Sequence, residues 1–267
     1  MGSTRCGIEA LQGRRVFVKR AAGADVAMLA CEADGLRALA ATGAIRVPAI
    51  LAEDATVDDA HLALEWIDLT APTEPVALGR ALATLHGAPA PRGPCGERFG
   101  WHRDNFIGGT PQANDWSDDW IAFFRDARLV PQLERAHRNG FRGDLERDGV
   151  RLLSQFPDLL HDHAPSPSLV HGDLWQGNAG TLPDGSPVVF DPAVYVGDGE
   201  VDLAMTELFG GFGSAFMRAY ESVRPIAPGY ALRRDLYNLY HLLNHLNLFG
   251  ATYRIRIEHT LARLVER

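Results

Sequence analysis

The stretch from His171 to Pro192, HGDLWQGNAGTLPDGSPVVFDP, constrains this chain more than any other. Asp184-Gly185 at its centre is a strong two-residue turn signal, so the segment reads as a β-hairpin. A simple two-residue turn sets Asn178 directly opposite Asp191, with Cβ atoms about 4.5–5.5 Å apart. An amide oxygen and a carboxylate oxygen so placed can share one hard cation, and Mg²⁺ is usually held by one or two such groups plus substrate phosphates. Just upstream, SLVHGD reads as a short strand entering a loop. Asp173 in that loop is followed five residues later by Asn178. In phosphoryl transfer such a carboxylate accepts the proton of an attacking hydroxyl, while the amide binds the metal that carries ATP. The competing readings are local: a polar loop capped by Asp and Asn, and an Asp191 that only opens the Asp-Pro turn. A longer loop around Pro183 would shift the register.

The N-terminal part adds a second constellation. Of the 26 basic side chains, Lys19 is the only lysine and 25 are arginine. A G+C-rich genome explains the arginines but leaves open why one position keeps Lys. GRRVFVKRA reads as a strand over Gly13–Ala21, with Val16 and Val18 on one face and Phe17 and Lys19 on the other. Asp25 is placed to cap a following helix, stopped by Gly43. On a helical wheel Glu32 falls inside the apolar stripe of Leu29, Ala33, Leu36 and Leu39. A carboxylate on a buried face needs a partner, and the neighbouring strand supplies Lys19. A strand lysine paired with a helix carboxylate is how kinases hold the α- and β-phosphates of ATP. A lysine surviving by chance on a surface strand is the alternative.

Composition bounds the remaining classes. With 46% hydrophobic and 22% charged residues, the chain is an ordinary globular one. A net charge of −8 argues against nucleic acid as the main partner. No apolar run long enough to span a membrane and no signal-peptide core are present, and Cys6 interrupts a myristoylation pattern. Three cysteines without paired spacing suit a reducing cytoplasm.

Two more strands, VPAILAEDA and the run from His61 to Trp66, precede a change to helices near residue 70. The expected fold is α+β: a small β-rich N-terminal domain, 1–68, and a larger, mostly helical C-terminal domain, 69–267, with a substrate cleft at their junction. Where the chain leaves the small domain, the backbone of Glu65, Trp66 and Ile67 is available to the adenine edge. GGFGSAF reads as the end of one helix and the start of the next, and the scattered histidines as packing residues.

HGDLWQGN, VVFDPAVYVGDGEVDLAMTELFGGF, FGWHRDNFIGG and NDWSDDWIAFFRDARLVPQLERA together resemble the fructosamine/ketosamine 3-kinases, a branch of the bilobal protein-kinase-like fold near the aminoglycoside phosphotransferases. The resemblance implies Asp173 as catalytic base, Asn178 and Asp191 as Mg²⁺ ligands, Lys19 and Glu32 as the phosphate clamp, and Glu65–Ile67 as the hinge for ATP. Trp175 becomes a candidate wall for the sugar. The implied substrates are amines carrying a rearranged sugar, free or protein-bound, phosphorylated on the 3-hydroxyl, with repair of glycated amines as the role. An aminoglycoside or choline-like substrate, and an inactive ATP-binding scaffold, are the alternatives; monomer and homodimer both stay open. The family places a strand and a glycine-rich phosphate loop before the lysine strand. No GxGxxG occurs in MGSTRCGIEALQGRR, so the first strand is expected to be missing or the loop abbreviated, with Cys6 nearby.

Overall fold

The computed structural model describes residues 4–69 and 74–266. Strands β1 (Arg5–Leu11) and β2 (Arg14–Ala22) lead into helix α1 (Val26–Ala41), then β3 (Ile50–Ala55), β4 (Asp59–Glu65) and α2 (Pro75–Gly87). Next come β5 (Asn105–Ile107), β6 (Thr110–Gln112), α3 (Trp120–Phe124), α4 (Val130–Arg138), α5 (Asp144–Leu159) and β7 (Pro167–Val170). The hairpin β8 (Ala179–Thr181) and β9 (Pro187–Val189) is followed by β10 (Tyr195–Asp198), α6 (Glu200–Leu208), α7 (Ser214–Glu221), α8 (Tyr230–Phe249) and α9 (Arg254–Val265). A small β-sheet region therefore precedes a mostly helical remainder, as expected.

The chain forms two compact units, each drawn from three segments. One comprises Met1–Ala88, Asp173–Val194 and Gly210–Pro225; the other comprises Pro89–Gly172, Tyr195–Phe209 and Ile226–Arg267. Thr70, near the expected change to helices, lies outside the described residues, as do residues 1–3, 71–73 and 267.

In the first unit an antiparallel sheet runs in the order β1-β2-β4-β3. Val16 and Val18 of β2 cluster with Ala63 of β4 on one face, and Lys19 takes the other. Strand β1 is absent from the sequence-based expectation; its residues are almost all exposed, and its alternating face of Cys6, Ile8 and Ala10 carries one large apolar residue. A two-residue turn joins it to β2, with Gln12 and Gly13 at φ 49° and 77°, both left-handed as a type I′ turn requires. Asp25 stands at the N-cap position of α1 but makes no capping bond, because a 3₁₀ turn over Gly23–Asp25 runs straight into the helix. At the other end Gly43, at φ 63°, terminates it as expected.

The expected register of the 179–189 hairpin is wrong by one residue. Ala179 faces Val189 and Thr181 faces Pro187, so Asn178 stands opposite Phe190 rather than Asp191. The loop has three residues, Pro183, Asp184 and Gly185. Pro183 suits the first turn position, the Asp184 carboxylate accepts the Ser186 N–H at 2.9 Å, and Gly185 takes φ 85°.

The second unit is built around α8, buried on most of its circumference. The expected long helix over DDWIAFFRDARLVPQLERA is α3 and α4 joined by one π turn, Arg125–Leu129, and Asp119 caps its start. Strands β7 and β10 pair antiparallel and lead, respectively, into the HGD loop and into α6.

Candidate active site

Lys19, Glu32 and Asp191 converge in the first unit. Lys19 Nζ donates to both carboxylate oxygens of Glu32, each at 2.8 Å, and to Asp191 Oδ1 at 2.5 Å. Lys19 is 7% exposed, whereas the Asp191 side chain is half-exposed. Burial alone would push the ammonium down, but the charges of Glu32 and Asp191, and its bonds to both, hold it above the usual lysine value. Burial pushes the Glu32 carboxyl up, and the charge of Asp191 adds to that; together they outweigh Lys19, which acts to lower it. Both directions follow from two carboxylates sharing one ammonium.

Asp191 does not reach this position by facing Asn178 across the hairpin. The Phe190 N–H donates to the Asn178 carbonyl at 3.1 Å, and one residue later the backbone leaves the extended conformation, with Asp191 at φ 56°. Such a conformation is strained for a non-glycine residue and tends to occur at functional sites. The pleat's alternation therefore no longer dictates where the Asp191 side chain points.

Asp173 and Asn178 meet directly. The Asn178 side-chain amide donates from Nδ2 to the Asp173 carbonyl at 2.9 Å and to its Oδ2 at 3.2 Å. With Nδ2 committed in this way, Oδ1 is the amide's acceptor atom, a hard oxygen ligand of the kind Mg²⁺ takes. Oδ1 of Asn178 and the carboxylate of Asp191 thus make an all-oxygen donor set compatible with Mg²⁺, although Lys19 occupies one Asp191 oxygen.

Trp175 is 38% exposed, and its ring lies against Gly177, where a Cβ would come within 2.3 Å of Cζ2. Of the three hinge candidates, Glu65 has its carboxylate tied to the Ala49 N–H at 3.1 Å and to Arg46. The Trp66 indole donates to Asp68 at 2.7 Å beneath the Arg15 guanidinium. Glu65 closes β4, and Trp66 and Ile67 follow it outside regular structure, both half-buried. Two residues on, Leu69 packs against Gly180 of β8.

Sequence reasoning missed Asp202. This α6 carboxylate, fully buried, accepts the His171 N–H at 2.7 Å and the Gly172 N–H at 2.8 Å, fixing the two residues that precede Asp173. Its signal was a carboxylate flanked by Val201 and Leu203 near the start of α6. Gln176, also missed, donates to the Gly211 carbonyl.

His163, Asp198 and Glu200 could in principle gather round a cation. Their ligand atoms already have partners: Asp198 takes His163 Nε2 at 2.6 Å and the Tyr237 hydroxyl at 2.7 Å, and Arg233 grips Glu200 at 2.6 and 2.8 Å. The set is a hydrogen-bonded network. Buried His241, pushed down to about 3 by burial and by His245, is a neutral packing residue, as expected.

The fructosamine kinase family pattern matches residues 4–267, nearly the whole chain. The chain belongs to the fructosamine kinase family. A Synechocystis protein provisionally named a ketoamine kinase is 45% identical over 250 residues, covering 93% of this chain and 82% of its own. The protein-ribulosamine 3-kinase of Arabidopsis thaliana, named as chloroplastic, is 41% identical over 240 residues, covering 89% and 72%. A solved Haemophilus somnus structure with a provisional fructosamine-3-kinase name superposes with TM-score 0.86 at 28% identity, over 98% of this chain and 87% of that one. An aminoglycoside phosphotransferase shares the fold alone, at TM-score 0.65 and 16% identity, over 98% of this chain and 90% of its own. This fructosamine kinase family member therefore has the kinase-like fold and is an ATP-dependent kinase.

Proposed function

We propose that this protein transfers the γ-phosphoryl group of ATP to the sugar 3-hydroxyl of a ketosamine, a fructosyl or ribulosyl adduct of an amine. The observation that carries the reading is Lys19 held between Glu32 and Asp191, since a buried ammonium shared by two carboxylates suits a polyphosphate clamp and has little structural purpose otherwise. Asp173 takes the proton of the attacking hydroxyl as the new O–P bond forms and the bond to the β-phosphate breaks, releasing ADP. Asn178 orients that carboxylate through its Oδ2 contact, and Asp202 fixes the loop that presents it. Asn178 and Asp191 are the groups that would hold Mg²⁺, which when bound neutralises phosphate charge. The backbone of Glu65–Ile67 is assigned to the adenine edge and Trp175 to the sugar.

Glycated amines as substrates are supported by the names of the ketoamine and ribulosamine kinase relatives. Among the described residues no helix is long and apolar enough to cross a membrane, and the three cysteines form no disulfide; a cytoplasmic location is proposed on that basis. The test is ATP consumption with ribulosyl-lysine, fructosyl-lysine, an aminoglycoside and choline. Turnover on the first two alone is expected. Turnover only on the aminoglycoside or choline would replace the substrate class, and none on any would favour a scaffold.

A further inference from the structure

Three residues beyond Glu32, α1 carries a buried glycine where helix propensity argues against one. Glycine in a helix interior is less favourable than alanine. At Gly35 a Cβ would meet Pro192 Cγ at 3.1 Å and the two methyls of Val194 at 3.3 and 3.4 Å. Val194 is 1% exposed and Ala193 3%, so that end of the segment lies in the packed interior, while Pro192 is half-buried. Pro192 follows Asp191, the left-handed residue bonded to Lys19. Residues at i and i+3 are neighbours on a helix surface. One side of α1 thus reaches Lys19 through Glu32 and rests on the Asp191 segment at Gly35.

Given the phosphoryl-transfer reading above, we infer that Gly35 is a positioning residue of the phosphate clamp. Its missing Cβ lets α1 close on Pro192 and Val194, so that one ammonium reaches both carboxylates. Alanine favours the helix but holds it a few tenths of an ångström off this segment. Helix propensity and clamp geometry therefore pull in opposite directions at this position, which separates a positioning role from a merely structural one.

Gly35→Ala is expected to weaken Mg·AMP-PNP binding, read by calorimetry, and to lower kcat/KM for ATP by about tenfold at a temperature where the variant is fully folded. Adding Val194→Ala, or in a separate variant Pro192→Ala, removes part of the clash and should recover part of both losses, and the two together most of them. Near-wild-type nucleotide affinity in Gly35→Ala would overturn the assignment, as would a loss that neither second substitution relieves. The nucleotide titration decides the matter even if wild type turns over no ketosamine, an outcome that would defeat the proposed substrate instead.

Discussion

Lys19→Met removes one cation from among three carboxylate oxygens while nearly keeping its volume. Lys19 is 7% exposed and the Glu32 side chain 13%, so water has little access to replace the lost partner. Breaking a buried pair on one side costs about 3–5 kcal/mol when the remaining charge persists. Asp191, half-exposed, adds little to that penalty because solvent screens it. Glu32 already binds its proton more readily than a free glutamate, through burial and the charge of Asp191 and against the pull of Lys19. Without Lys19 its pKa rises further. The folded state then holds a proton that the unfolded state releases, so stability falls as pH rises through that window. Urea unfolding should show a deficit of about 3–5 kcal/mol near pH 8, shrinking clearly near pH 5.5 as Glu32 neutralises. Adding Glu32→Gln removes both buried charges and should return stability to within about 1 kcal/mol of wild type, with phosphorylation still lost. A deficit under about 1 kcal/mol near pH 8, or one equal at both pH values, would refute Glu32 as a buried charge answered by Lys19.

Asp173→Asn should abolish phosphorylation while leaving Mg-ATP binding nearly intact, as nucleotide titration alongside a turnover assay would show; a tenth of wild-type turnover would remove Asp173 as base. For Lys19→Arg a large loss of activity is expected despite retained charge, and near-normal steady-state kinetics would return Lys19 to a structural role. Asp202→Ala strands two buried N–H groups at about 1–3 kcal/mol each, so both urea stability and kcat should drop. An unchanged kcat would mean that the HGD loop holds its shape without α6. Burial pushes the Asp198 carboxyl up, but its bonds to His163, the Glu200 N–H and Tyr237 leave it net below the ordinary aspartate value. Its stabilisation is therefore whole at neutral pH and lost as pH falls through its lowered pKa. Asp198→Asn should flatten that acid limb of the stability curve, and an unaltered limb would count against the network.

The pair of Lys19 and Glu32 was legible because a carboxylate inside an apolar stripe has to find a cation, and the nearest strand held one. Asp173 with Asn178 was legible from spacing alone, since a loop so short brings its two ends together. The hairpin register was not: Pro183-Asp184-Gly185 and Asp184-Gly185 both satisfy the glycine rule, and Pro183 selects the longer loop. Strand β1 escaped because an edge strand exposed along nearly its whole length carries no burial pattern to read. Asp202 escaped because its partners are backbone N–H groups, which leave no mark on side-chain sequence.

The geometry at Lys19 also explains the composition. Three oxygens from two carboxylates lie 2.5–2.8 Å from one nitrogen. A guanidinium is a flat fork that matches one carboxylate with two parallel bonds and spreads its charge over several atoms. Turned to grip Glu32, it would present its edge to that residue and could not centre the same charge on Asp191. An ammonium is a compact charge with three rotatable donors, and it suits convergent acceptors on either side. Arginine can stand wherever a positive charge at a surface is enough, and it also serves in a buried pair with a single carboxylate, as Arg233 does with Glu200. At position 19 the requirement is a point charge that two carboxylates and a polyphosphate can approach from different directions, and lysine alone meets it.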